Sequence, residues 1–407
     1  VIGYSSGQNE LVSNPFIWLE MAYVERLLQP RDTDHDPTAV PGLSRLFFLD
    51  YDASQLVTLA NFLIPDGRRL AMLYDRVGLE GLRSFSLRLN YPRENFDLGG
   101  WDAQQPPLEL PSALNLAISN LRSCATTWEG QLPNDPERLS LRLDFWVDDQ
   151  TRAAFNFHFH TTENLFRELY LLRLLNATQY SNDLRHRIRF NESGENLSTL
   201  LPKAEPGWKP FHVSDVRLKK RHSSEEIPYR SLSDGEHQML HVFGAMMLFG
   251  QPGTLFLFDE PETHFNPEWR SKFVSLLNEV VEDPESGQKR EQEVVLTTHS
   301  PFIVSDCHPE NVFIFERDGA GAVAYRQPDF NTFGASVGLV TLRVFGKSET
   351  ISDLAHGVLA KLREETITTR DDVARLRDEA NALGDSVEKL MFMNYLNERA
   401  AQLPPTP

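Results

Sequence analysis

One stretch, Ser231 to Pro267 (SLSDGEHQMLHVFGAMMLFGQPGTLFLFDEPETHFNP), constrains the fold more than any other. Ser233 is placed to cap a helix, with Glu236 three residues on as in a capping box. Met239, Leu240, Val242, Phe243, Met246, Met247 and Leu248 then predict a strongly apolar helix. A helix N-terminus with a serine and a glycine offers backbone N–H groups and a partial positive charge, which suits a phosphate. Leu255 to Phe258 reads as a strand buried on both faces. Asp259 and Glu260 fall at its C-terminal edge, where open α/β sheets place their ligands. Neighbouring strand residues point to opposite faces, so the two carboxylates are expected to divide the work. One would hold Mg²⁺, directly or through water, and the other would polarise a water molecule.

At these residues the chain resembles the ABC-type ATPases. Leu232 to Gln238 (LSDGEHQ) resembles the family's signature motif, with Asp234 in place of its usual glycine. Thr254 to Glu260 (TLFLFDE) resembles Walker B and the catalytic glutamate. Pro261 to Pro267 falls where the D-loop follows. Val294 to Ser300 (VVLTTHS) is a second apolar strand running into His299, which resembles the switch histidine. The opening Tyr4 to Glu10 (YSSGQNE) resembles a Q-loop, with Gln8 or Glu10 near a metal; a plain surface turn is the competing reading.

The resemblance demands a P-loop, GxxxxGK[ST], whose lysine and amides hold the β- and γ-phosphates. The first lysine here is Lys203, flanked by Pro and Glu, and no glycine run precedes it. Gly346-Lys347-Ser348 has Thr341 where the motif wants glycine and lies after His299, so it reads as a turn. The expectation is a P-loop carried by a segment ahead of Val1.

Along the rest of the chain, Pro15–Leu28 has helical periodicity and Pro30–Pro41 reads as an exposed loop. Leu43–Leu73 and Leu108–Leu121 read as helical, and Leu82–Tyr91 as a half-buried strand. Leu139–Val147 and Ala153–His160 both alternate, which predicts an antiparallel hairpin. It would set His158 and His160 on one strand face, a solvated face in preference to a metal site. Thr161–Leu175 is a Thr-capped helix. Phe211–Arg221 reads as a strand carrying the one basic cluster, Arg217, Lys219, Lys220 and Arg221, a contact for DNA, RNA or an acidic partner, or else a lysine-protected sheet edge. Asn311–Glu316 and Ala322–Arg326 form a hairpin around Asp318–Gly321. Residues 11–230 lack sustained heptads, which argues against a long coiled-coil arm.

The net charge of −18 disfavours non-specific nucleic-acid binding by the whole surface. Two cysteines far apart, Cys124 and Cys307, fit a reducing cytoplasm rather than a disulfide framework. No run of about 18 apolar residues predicts a membrane span.

The fold class expected is therefore α/β: an ABC-type nucleotide-binding fold with an inserted mixed α/β lobe and a helical C-terminal tail. Residues 1–10 would end the N-terminal part of the core, 11–227 form the lobe, 228–346 the C-terminal part of the core and 347–407 the tail. The phrases YSSGQNE, SLSDGEHQ, FDEPETHFNP and TTHSPF resemble the ABC/SMC-like ATPases of bacterial anti-phage systems, above all the Septu type also found in some retron operons. That resemblance implies ATP and Mg²⁺ in a head-to-tail homodimer. Asp259 would coordinate Mg²⁺, Glu260 would activate water, and His299 would contact the γ-phosphate. Ser233 and Gly235 would reach the nucleotide bound by the partner, and His264 and Asn266 would link the two sites. It also implies an HNH nuclease partner and, in retrons, a reverse transcriptase. The alternative is an SMC-like repair ATPase that grips DNA itself.

Overall fold

The computed structural model describes residues 1–7, 10–27, 45–64, 67–92, 112–131, 138–190, 209–222, 225–282, 289–347 and 351–404. Gln8, Lys203, Ser348 and the polar run at 30–41 lie outside them. The chain is mixed α/β and divides into two compact units, Val1–Thr298 and His299–Pro407.

Among the described residues, the first unit holds two sheets. The parallel one is built from β1 (Ile2–Ser5), β2 (Phe47–Phe48), β8 (Thr254–Asp259) and β9 (Gln292–Thr297), in the order β2-β1-β8-β9. The antiparallel one contains β3 (Leu79–Pro92), β4 (Thr127–Gln131), β5 (Arg138–Trp146), β6 (Phe211–Lys220) and β7 (Glu226–Pro228), in the order β4-β5-β3-β6-β7. Its helices are α1 (Glu10–Leu27), α2 (Tyr51–Leu63), α3 (Gly67–Val77), α4 (Ser112–Cys124), α5 (Asp149–Phe159), α6 (Thr162–Leu174), α7 (Asn182–Arg189), α8 (Asp234–Leu248), α9 (Pro267–Ser271) and α10 (Phe273–Val281).

Elements on either side of residue 227 pack against one another. Helices α2 and α3 both pack on α8. The amide of Asn61 on α2 donates to the Gly244 carbonyl of α8 at 3.0 Å. Phe47 stacks on Phe249 and meets Phe166 and Tyr170 edge-on, tying β2, α6 and the end of α8 into one core. A shared apolar interior joins these segments to α8.

Two local expectations are corrected. Residues 149–159 are helix, not the second arm of a hairpin. Asp148 caps it, its carboxylate accepting from Thr151 N at 2.8 Å. Thr151, Phe155 and Phe159 are buried at i, i+4, i+8, so the aromatic alternation served a helical face. The true hairpin pairs β4 with β5. His158 therefore sits on a helix, and His160 follows it at φ 63 as the C-cap. Strand β6, in turn, is no sheet edge: β3 flanks it on one side and the short β7 on the other.

In the second unit, α11 (Pro301–Ser305), β10 (Ile314–Arg317), β11 (Val323–Arg326) and α12 (Val337–Arg343) gather around Val304, Val312, Ile314 and Val340. The hairpin β10–β11 is the one expected, and Gly346 at φ 68 makes the turn read just beyond α12. Helices α13 (Asp353–Glu364), α14 (Arg370–Asn381) and α15 (Val387–Gln402) enclose a separate core of Leu359, Leu362, Val373, Leu376, Ala380, Phe392 and Leu396. No helix among the described residues is long and apolar enough to cross a membrane.

Candidate functional site

Three parallel strands end together. In register, Ser5 of β1 faces Asp259 of β8, and Asp259 faces Thr297 of β9. This places two hydroxyls on either side of one carboxylate. Ser5 Oγ donates to Asp259 Oδ2 at 2.9 Å, and Thr297 Oγ1 donates to Asp259 Oδ1 at 2.7 Å. The Asp259 carboxylate is thereby fixed in its plane before any ligand arrives.

Glu260 departs from the strand pattern. Its φ is 48, a left-handed conformation that a non-glycine residue adopts at a cost of roughly 1–2 kcal/mol. The two carboxylates are thus separated by a turn, not by strand alternation. The turn is held by hydrogen bonds: Glu260 N donates to Thr297 O at 3.2 Å and to Thr297 Oγ1 at 3.1 Å. Thr263 Oγ1 lies 3.0 Å from Glu260 O and 3.2 Å from Glu260 Oε2, and Ser6 Oγ lies 3.2 Å from Thr263 Oγ1.

Glu262 is buried, and Thr298 Oγ1 donates to its Oε1. Burial, opposed by that hydrogen bond, raises its carboxyl above the usual range. Arg270 donates to the carbonyls of Glu262 and Thr263, at 3.3 and 2.7 Å, and so straps the turn to α9. Asn266 caps that helix through Oδ1, which accepts from Trp269 N at 2.8 Å.

The Ser233 turn has the expected capping box. Glu236 N donates to Ser233 Oγ at 3.3 Å, and Ser233 N donates to Glu236 Oε2 at 2.7 Å. Ser233 and Asp234 are exposed. Gly235 is buried, and a Cβ there would lie 2.9 Å from His264 O. One turn on, Gln238 Oε1 accepts from His264 N at 2.9 Å. The structure therefore packs Gly235 and Gln238 against His264, in the turn that follows Asp259 and Glu260. A cavity of about 720 Å³ opens beside it, lined among others by Ser5, Ser6, Asp234, His237 and His264. Its size is that of a small-molecule site.

His299 opens the second unit, exposed, with its ring 6.3 Å from that of Phe345. Among the described residues no group of three His, Cys, Asp or Glu side chains is arranged to hold a metal ion. The donors present still fit Mg²⁺: one fixed carboxylate and a hydroxyl, both hard oxygen donors, are what this ion takes when phosphates and water complete its shell. Of the basic cluster, Arg221 pairs with Asp75, and Arg217 stays exposed. Sequence reasoning missed Tyr4, Ser5, Ser6, Gln238, Thr263 and Thr297. The signal available was that the apolar strands on either side of β8 both end in hydroxyl residues, Ser5 and Thr297.

Two comparisons bear on the family. A family described as "AAA domain, putative AbiEii toxin, Type IV TA system" matches residues 83–305. Protein ea59 of Escherichia phage lambda is 28% identical over 141 residues, 35% of this chain. That match covers 25% of ea59, so the chain spans about a quarter of this relative. With more than half of its length matched, the chain belongs to this AAA-domain family.

Proposed function

We propose that the chain, working with a P-loop that residues 1–407 do not themselves carry, binds and hydrolyses ATP with Mg²⁺, as the ABC-type subunit of a toxin–antitoxin or anti-phage system of the Septu and retron kind. The observation that carries this reading is the Asp259 carboxylate held from both flanking strands, with Glu260 beside it in a strained turn. Mg²⁺, when bound, would neutralise charge on the phosphates. Asp259 would hold it, oriented by Ser5 and Thr297. Glu260 would orient and deprotonate a water through the carboxylate that Thr263 steadies. The exposed Ser233 turn would meet a nucleotide carried by a second copy in a head-to-tail dimer, with His299 as the γ-phosphate contact. Closure of that dimer would restrain an HNH nuclease in the cytoplasm, and the free thiols Cys124 and Cys307 suit that compartment.

The test is Mg²⁺-dependent phosphate release by the wild-type protein, Asp259→Ala and Glu260→Gln. Release abolished in both variants, with ATP still bound by Glu260→Gln, supports the reading. Equal release by all three removes it. A second reading, direct DNA binding by a repair ATPase, is favoured by Arg217 and Lys219 on one face of β6. Salt-sensitive DNA binding lost in the Arg217→Glu, Lys219→Glu double variant would select it.

A further inference from the structure

Gln238 is 2% exposed and lies three residues after Gly235, on the same face of α8. Both ends of its amide are used. Oε1 accepts from His264 N at 2.9 Å, and Nε2 donates to the Tyr4 hydroxyl at 3.2 Å. A backbone N–H can only donate, so the oxygen must face His264 and the nitrogen is left for Tyr4. The amide has one usable orientation.

Its two partners lie in separate segments of the site. Tyr4 is buried on β1, edge-on to Phe258 of β8, and immediately precedes Ser5 and Ser6. His264 lies in the turn that follows Glu260, and the carbonyl of the same residue packs against Gly235. Volume alone does not call for an amide here, since Met239, Leu240 and Val242 already fill the adjoining core. An apolar side chain of equal length would leave the buried Tyr4 phenol and the part-buried His264 N–H without these partners, which costs more than the bonds return when made.

We infer that Gln238 is a positioning residue that fixes the turn after Glu260 to the Ser233 helix and to β1, so that the carboxylate pair and the capped turn keep one geometry. Its consequence for turnover rests on the ATPase reading; the bracket itself does not.

The test compares the wild-type chain with Gln238→Met and Tyr4→Phe by hydrogen–deuterium exchange and by ATP turnover. In Gln238→Met, the peptide covering Pro261–Asn266 exchanges about 10-fold faster, the factor for one lost hydrogen bond. Peptides of α14 in the second unit stay unchanged. The kcat for ATP falls about 10-fold with KM unchanged, the pattern of lost transition-state positioning. Tyr4→Phe, which spares the His264 bond, speeds the same peptide about threefold and keeps the inference testable should Gln238→Met not fold. Unchanged exchange at Pro261–Asn266 in either folded variant overturns the bracket, as does acceleration spread equally over both units. Faster exchange with unchanged kcat overturns its role in turnover. A wild-type protein that neither binds nor hydrolyses ATP defeats the ATPase reading instead, and exchange alone then judges the bracket.

Discussion

Thr297 donates its hydroxyl to Asp259 Oδ1 across 2.7 Å, from the next strand and in direct register. Thr297 Oγ1 also accepts from Glu260 N, so one side chain holds both the Asp259 carboxylate and the Glu260 backbone. Thr297→Val keeps the shape and removes both bonds. It is expected to lower stability by about 1–2 kcal/mol and ATP turnover about 10-fold, read by denaturant unfolding and phosphate release.

Glu260 keeps its left-handed backbone at a cost in stability. Glycine takes that conformation freely, so Glu260→Gly is expected to be no less stable than the wild type while losing hydrolysis. Glu260→Val adds a β-branched side chain at the same φ and should unfold at lower denaturant. Glu260→Gln should lose a factor of about 10²–10⁴ in turnover. A Glu260→Gly protein with a lower unfolding midpoint would show that the turn is not strained.

Gly235 permits the close approach of His264 O. Gly235→Ala sets a methyl group 2.9 Å from that backbone oxygen, and the turn must move. The expected cost is about 1–3 kcal/mol. Gly357, inside α13 with open space around its Cβ position, is the control: Gly357→Ala should gain about 0.5–1 kcal/mol. Equal effects of the two changes in thermal unfolding would rule out the contact.

His241 makes the fold acid-sensitive. Its ring nitrogen Nε2 lies 2.7 Å from the Tyr229 hydroxyl, and burial first, then His237, push its pKa from 6.5 down to about 3. Between those values the unfolded chain binds a proton that the folded chain refuses. The number of bound protons is then larger in the unfolded state, so stability rises with pH across this window. The stability is complete above about pH 6.5 and drains away as pH falls toward 3, by at most about 1.4 kcal/mol per unit. His241→Gln should flatten that slope in urea titrations between about pH 4 and 7. An unchanged slope would move the effect to other groups.

The sequence showed the elements whose signal is local. The capping box at Ser233, the apolar run into Asp259, the helix after Thr161 and the hairpin at 314–326 all follow from spacing within a few residues. Residues 149–159 misled because aromatic residues at every second position also fill a helical stripe every fourth, and only the Asp148 cap decides between them. Two things were not local. The first is the core shared by α2, α3 and α8, which joins segments far apart in the chain. The second is the set of hydroxyls at the strand ends, whose meaning depends on which strands lie side by side. Gln238 was legible only as a polar residue in an apolar helix, since its partners are 26 and 234 residues away.

The end of β1 and the residue after it take three different tasks: Tyr4 holds Gln238, Ser5 holds Asp259 and Ser6 meets Thr263. A slip of one residue against β8 would turn every side chain to the opposite face. Removing a single residue between Ile2 and Ser6 would therefore break all three contacts in one step. Substitutions there would produce graded losses, whereas deletions would fall off a cliff, so this edge of the sheet can vary in chemistry but not in length.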